Sequence, residues 1–419
     1  MGSEEVAADV TRTGNEAAGA PAHWLVIAEE AFLPADSGGR VESLNLLRAA
    51  AAAGVRLHVV VPGLTVSEET AHRSALPAAG LTGIPRRTGW RSHASLAPYL
   101  FVSRPLPPDL VDRLRAVDDE DPYSAAIAIS FRVAHLGTVL AEAFDLPLLV
   151  RPHNVESEYF RELARGVSFP RDLPYLFESW KLRRAEAAIH ASPLVALFAD
   201  IAAGDAVRRA RLTTTPVVHV PPFLPPRPTA PASAARARPP GTGTVLFLGS
   251  LDNVNNQGGI RWFVKECWPR LRVTYPGADL HVVGRRAPEN LRAALAKAGS
   301  RVTVDAPDVR PHLAEAVVFI NPVRRGAGVN IKMVEAMAAG LPVVTTTVGA
   351  RGLHWRDGEH LIVTDDATAF RSAVALLLED PDRRAQLASA GRRFVEEELD
   401  GVRQISRLLA ALVSRPARR

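Results

Sequence analysis

Apolar residues along this chain come in short blocks rather than long runs. Blocks rich in valine, isoleucine and leucine recur at 24–28 (WLVIA), 56–61 (RLHVVV), 124–130 (SAAIAIS), 147–151 (PLLVR), 194–198 (LVALF) and 217–220 (VVHV). A second series follows at 244–248 (TVLFL), 279–283 (DLHVV), 301–304 (RVTV), 316–320 (AVVFI) and 342–346 (PVVTT). A strand buried on both faces needs a near-continuous apolar block of this kind, and the recurring rhythm is block, glycine-containing turn, then an Ala/Leu/Arg helix. That alternation predicts parallel sheets covered by helices on both sides, twice over: an α/β chain of two doubly wound, Rossmann-like domains.

Between the two series lies VPPFLPPRPTAPASAARARPPGTG (220–243), whose prolines forbid both a helix interior and a central strand. The chain therefore divides into a tail at 1–21, a first domain at 22–220, a semi-rigid Pro-rich linker at 221–243, a second domain at 244–398, and a C-terminal helix in 399–419 expected to return to the first domain. The acidic, small-residue tail has neither the basic nor the apolar block of a signal peptide and is expected to be disordered. No run approaches the roughly 18 apolar residues of a membrane span, so a cytoplasmic protein is expected. Residues 64–100 show no clear period. Within them RRTGWRSHASLAPYLF (86–101) mixes arginines with Trp90, Tyr99 and Phe101; it reads first as a loop and helix over the sheet, and second as an acceptor or membrane-surface contact. Nothing else indicates membrane association.

The net charge of +5 does not point to nucleic acid, because the arginines are scattered along helices among acids, with no basic stripe carrying stacking aromatics. The single cysteine, Cys267, excludes an internal disulfide and a cysteine-rich zinc site. Of 50 basic residues only four are lysine, which makes the setting of each one informative.

Two doubly wound domains across a joint enclose a cleft, and ligands of such sheets sit just past the carboxyl ends of the strands. One lysine, Lys332, falls there. After AVVFI comes RRGAGVN (324–330) and then the helix IKMVEAMA, stopped by Gly340 and Pro342. Gly326 and Gly328 let backbone approach a ligand, and the free N–H groups of the helix start around Gly328, Val329 and Asn330 favour phosphate. Lys332 in the first turn adds a compact positive charge, and Glu335, three residues on, shares its helix face. A carboxylate there can accept two hydrogen bonds from vicinal hydroxyls such as those of a ribose. A nucleotide diphosphate fits the pair; the plainer alternative is a solvated i,i+3 ion pair. In the first half Gly38 and Gly39 open a helix directly after the first strand, without the full G-x-G-x-x-G pattern. His153 and Asn154 follow PLLVR, where a histidine can donate to sugar hydroxyls or to developing charge.

These stretches resemble the retaining GT-B glycosyltransferases of family 4, the glycosyl transferases group 1 type. "SGGRVESLNLLRAAAAAGVRLHVVV" resembles that family's opening, "HNVESEYF" its N-domain histidine motif, "VLFLGSLDNVNNQGGIRWF" the start of its C-domain, and "GAGVNIKMVEAMAAGLPVVTTTVGARGL" its donor loop. The resemblance implies a GT-B fold and a retaining, hexosyltransferase-like enzyme that needs no metal or cofactor. Its co-substrate would be a nucleotide-diphosphate sugar and its acceptor a small molecule, glycan or lipid-linked hydroxyl of unstated identity. It places Glu335 on the ribose, Lys332 on the diphosphate, and the backbone of Ala327 to Asn330 along the phosphates. His153 would contact the sugar near the reacting carbon, Gly38 and Gly39 would border donor and acceptor, and Asn154 and Ser250 would complete the donor site. Two features depart from the family pattern. Ala327 stands where many members carry a second glutamate, and Ser250, Asn255, Asn256 and Gln257 stand where many carry an arginine and a lysine.

Four rival readings remain. Asp119-Glu120-Asp121 matches a metal-holding D-x-D, but its acidic run before Pro122 reads as a solvated helix end. A nicotinamide-dependent oxidoreductase lacks its glycine fingerprint with an acid about 20 residues on. A nucleotide-sugar epimerase or hydrolase, and a non-catalytic nucleotide-sugar-binding protein, would keep the same donor loop.

Overall fold

The computed structural model describes residues 22–35, 37–87, 95–165, 167–223, 238–326 and 328–413. The expected tail, most of the proline-rich linker, Trp90 and Ala327 lie outside the described residues.

The first domain is a seven-stranded parallel sheet: β1 (His23–Ile27), β2 (Arg56–Pro62), β3 (Gly80–Ile84), β4 (Ala125–Ile129), β5 (Leu148–Arg151), β6 (Val195–Asp200) and β7 (Val217–His219), in the order 3-2-1-4-5-6-7. Its helices are α1 (Gly38–Ala52), α2 (Val66–Ala75), α3 (Leu110–Glu120), α4 (Ala134–Ala143), α5 (Glu156–Arg165), α6 (Leu173–His190) and α7 (Ala203–Arg209), with short turns besides. The second domain holds β8 (Thr242–Leu248), β9 (Gly277–Gly284), β10 (Arg301–Val304), β11 (Ala316–Asn321), β12 (Val343–Thr345) and β13 (Ile362–Val363), in the order 10-9-8-11-12-13. Around it pack α8 (Val254–Glu266), α9 (Trp268–Thr274), α10 (Glu289–Lys297), α11 (Arg310–Glu315), α12 (Ile331–Ala338), α13 (Ala367–Glu379) and α14 (Pro381–Glu398), and the chain ends in α15 (Gly401–Val413).

Each central strand feeds two cores. In β1, Trp24 and Val26 join the core beneath α1, whereas Leu25 and Ile27 join the core beneath α4. In β8, Val245 and Phe247 face α8 and α13, whereas Leu246 and Leu248 face α12. Burial on both faces is why these strands read as continuous apolar blocks rather than alternating ones. The strand order reverses between β1 and β4 in one sheet and between β8 and β11 in the other, which opens a crevice at the carboxyl end of each.

The aperiodic stretch 64–100 contains α2, opened by a capping box on Thr65, and the edge strand β3. With two glycines in five residues, β3 has little intrinsic strand propensity; register against β2 makes it a strand. The last helix, α15, returns to the first domain, with Ile405 and Leu408 in the α1 core. Gly401 sits so close to α1 that a Cβ on it would lie 2.8 Å from Ala49 Cβ.

Candidate functional site

The loops after β1, β4, β5, β8, β9, β10 and β11 face one another across a cleft of roughly 1410 Å³ between the domains. The lobes approach closely at its floor. Gly328, at φ 77°, abuts Asn154: a Cβ there would lie 2.4 Å from Asn154 Oδ1, and one on Gly38 would lie 3.5 Å from Ile331 Cγ1. Gly328 therefore meets two demands that only glycine meets, left-handed backbone and close passage.

On the first-domain wall an ionic chain runs through three strand ends. Arg132, just past β4, forks onto Glu156 with Nε and Nη2 at 3.2 and 3.1 Å and reaches Glu29, past β1, with Nη1 at 2.9 Å. Ser130 holds the arginine's backbone in place; it sits at φ 99°, in the left-handed region that costs a serine energy, and its Oγ accepts from Arg132 N at 3.2 Å. Burial alone would raise Glu29, yet Arg132, His153 and Arg104 surround it with positive charge and hold its carboxyl down at about 2. It stays ionised at any physiological pH. His153 Nδ1 lies 3.7 Å from Glu29 Oε2, and its buried Nε2 has no hydrogen-bond partner among the described residues. Burial lowers the His153 pKa against the pull of Glu29 and Glu42. Its ring lies over Gly39, where a Cβ would come within 3.7 Å of Nδ1.

Behind this wall a fully buried pair fixes α1. Arg151 Nη2 and Nε donate to Glu42 Oε1 at 2.6 and 2.9 Å, and the guanidinium also donates to the carbonyls of Val220 and Pro221 at 3.0 Å. Glu42 Oε2 accepts from Phe223 N at 3.0 Å. The helix that opens at Gly38 is thus tied both to β5, which carries His153, and to the segment where the chain leaves the first domain.

On the opposite wall stands the glycine-rich turn and α12. No side chain caps the start of α12, because Asn330 Nδ2 instead donates to Gly349 O at 3.1 Å, so the first-turn N–H groups keep their capacity for a ligand. Lys332 Nζ lies 4.4 Å from the centroid of Phe247 and donates to Asn256 Oδ1 at 2.8 Å. Burial drives its pKa down to about 7. Glu335, one turn deeper, is raised by burial to about 7 and has no ion-pair or hydrogen-bond partner among the described residues. The solvated i,i+3 pair is therefore not what the helix presents. Both groups face the cleft without a counter-ion, in a setting that penalises their charged forms.

Most residues singled out from sequence line this cleft: Gly38, Gly39, His153, Asn154, Ser250, Val329, Asn330, Lys332 and Glu335. The Ser250 hydroxyl is engaged by Asp252 at 2.8 Å, and its carbonyl accepts from Asn256 Nδ2 at 2.9 Å, so Ser250 acts first on the loop that orients Asn256. Asp121, at the end of α3, pairs with Arg56 at 2.5 Å and His23 Nδ1 at 3.1 Å at the amino ends of β1 and β2, away from the cleft. Sequence reasoning missed Glu29, Arg132 and Glu156. Each stands just after a strand end, the signal that pointed to His153, but as single charges in a chain with many they carry no local motif.

Residues 242–380 match the family model for glycosyl transferases group 1. Among curated proteins, a phosphatidyl-myo-inositol mannosyltransferase of Mycobacterium leprae is 32% identical over 161 residues, covering 36% of this chain and 41% of the relative. The chain spans less than half the length of the curated relatives it matches. Among solved structures, the sucrose-phosphate synthase of Thermosynechococcus elongatus superposes with a TM-score of 0.67 at 17% identity, over 94% of this chain and 99% of that one. The Anabaena protein HepE in complex with UDP-glucose superposes with a TM-score of 0.66 at 13% identity, over 94% and 100%. Among the described residues no helix is long and apolar enough to cross a membrane.

Proposed function

We propose that this chain, whose residues 242–380 match the model for glycosyl transferases group 1 and whose fold is GT-B, moves a sugar from a nucleotide-diphosphate sugar to an acceptor hydroxyl, with retention of anomeric configuration and without a metal on the diphosphate. One observation carries this reading: Lys332 and Glu335 face the cleft unneutralised, one turn apart, at the uncapped start of α12. A diphosphate supplies the anion that recharges Lys332 and takes up the free N–H groups. A ribose supplies the two donors that Glu335 lacks. The bound UDP-glucose of the Anabaena structure supports a ligand of that class.

Breaking the sugar–phosphate bond builds negative charge on the leaving diphosphate and positive charge on the sugar. Groups already in place for the diphosphate charge lower the barrier, since they need no rearrangement as it forms. Lys332 is the chief such group, and the free N–H groups at the start of α12 assist it. Asn256 keeps the ammonium aimed into the cleft. His153, set by Glu29 and Arg132, offers its unpartnered Nε2 to a sugar hydroxyl. A β-phosphate oxygen takes the acceptor's proton on the face the leaving group departs from, so no protein nucleophile is required.

The name of the mycobacterial relative makes a polyol-bearing lipid the first acceptor to try. The test incubates the protein with a panel of nucleotide sugars, with and without acceptors, and follows free nucleotide and the anomeric NMR of the product. Acceptor-dependent release with retention, unchanged by chelator, is expected. Inversion, or loss of turnover on chelation, would overturn the mechanism. Release without acceptor would make the protein a hydrolase, and no release with any donor would leave a binding protein.

A further inference from the structure

A second cluster of ligating side chains lies outside the donor cleft. His281 sits in mid-β9 on the face toward α11 and is 1% exposed. Its Nε2 lies 2.9 Å from Thr303 Oγ1 on β10, whereas its buried Nδ1 has no hydrogen-bond partner among the described residues. An Nε2–H donated to the Thr303 hydroxyl leaves Nδ1 as a bare lone pair, the state in which metal-binding histidines are held by a partner on their other nitrogen. His312 and Glu315 on α11 are three residues apart and share one helix face toward it. The two imidazoles meet edge to face with centroids 4.9 Å apart. One ligand atom from each of His281, His312 and Glu315 lies within 4.8 Å of the others.

Glu315 Oε1 accepts from Arg301 Nη2 at 2.8 Å, and the same nitrogen reaches Asp279 Oδ2 at 3.1 Å. That leaves Glu315 Oε2 for another partner, and the group of Glu315, Asp279 and Arg301 carries one net negative charge. Donor atoms of a tetrahedral shell stand about 3.4 Å apart when metal bonds are about 2.1 Å, so rotation of the half-buried His312 and Glu315 closes the site around an ion. Two imidazoles and one carboxylate suit zinc rather than calcium or magnesium, which prefer all-oxygen shells.

We propose that His281, His312 and Glu315 bind a divalent transition-metal ion of the zinc class, which clips α11 onto β9. The ion takes no part in sugar transfer. The loop at 305–309 between β10 and α11 lines the donor cleft, so the clip steadies that wall of the site.

The test uses full-length, tag-free protein stripped with chelator. Titration with Zn²⁺ is expected to show one equivalent bound and an upward shift of the thermal midpoint, and Co²⁺ to give the visible bands of a tetrahedral site. His312→Ala and Glu315→Gln, both at half-buried positions, should each weaken binding roughly tenfold or more, and Thr303→Val, which touches no metal, by about 10- to 100-fold. Absence of binding at about 100 µM Zn²⁺, where mass action would reveal any useful site, would overturn the proposal. So would binding of equal strength in His312→Ala, which would place the metal on other histidines.

Discussion

Lys332 and Glu335 stand one helical turn apart on α12 and make no ion pair: the ammonium turns to Asn256 and the face of Phe247, and the carboxylate meets no partner among the described residues. A protein that keeps two oppositely ionisable groups half-buried, adjacent and uncombined holds an energetically costly arrangement, and a ligand that engages both removes the cost. Lys332→Ala should lower kcat roughly 10²- to 10³-fold, the range for losing one charge-stabilising group at a leaving group. Steady-state kinetics on the donor identified by the panel measure it.

The same arrangement predicts a stability–activity trade. Glu335→Gln removes a desolvated carboxylate with no partner, so at about pH 8 the empty protein should melt roughly 2–4 °C higher while losing donor affinity. Calorimetry with and without nucleotide reads both effects; a lower midpoint would mean that Glu335 has a stabilising partner in solution.

The pH dependence follows from the two values near 7. Between pH 4.5 and about 7 the folded, empty protein keeps a proton on Glu335 that the unfolded chain has lost, so this residue's share of stability falls as pH rises. Between about 7 and 10.5 the unfolded chain keeps a proton on Lys332 that the folded protein has lost, so stability rises with pH. The pair therefore contributes a minimum near neutrality. Urea titrations across this range should show a dip relative to Lys332→Met/Glu335→Gln, and a saturating nucleoside diphosphate should fill it.

Gly328→Ala should lower kcat/KM at least tenfold. The new methyl would strain a left-handed residue and press on Asn154 Oδ1, parting the lobes at the floor of the cleft. Asn154→Gly in the same chain should recover part of the loss by removing the steric component alone.

Behind the first wall, Arg151→Met should destabilise the fold by about 3–5 kcal/mol, because Glu42 would remain buried without its cation. Equilibrium unfolding measures this, and Glu42→Gln/Arg151→Met together should recover much of it.

The two-sheet architecture was legible because strands buried on both faces leave an unbroken apolar signature, as in WLVIA and TVLFL. GLTGI at 80–84 carried no such signature: two glycines erase it, and only pairing along β2 makes it a strand. The two-residue β13 is shorter than any pattern can mark. Lys332 and Glu335 were legible because one local segment contains the glycines, the helix start and both charges. Glu29, Arg132 and Glu156 were not, because their meaning lies in contacts between strand ends: Arg132 is 103 positions from Glu29 in sequence and 2.9 Å away in space. His281 and Thr303 escaped notice for the same reason.

In the proposed function a pyrophosphate docks on the start of α12 against Lys332. Calorimetric titration of uridine, guanosine, adenosine and thymidine diphosphates into the intact protein and into Lys332→Ala tests it most directly. One of the four is expected to bind at a single site, and the substitution to weaken it at least tenfold. Equal affinity in both proteins, or no binding of any of the four, would contradict it.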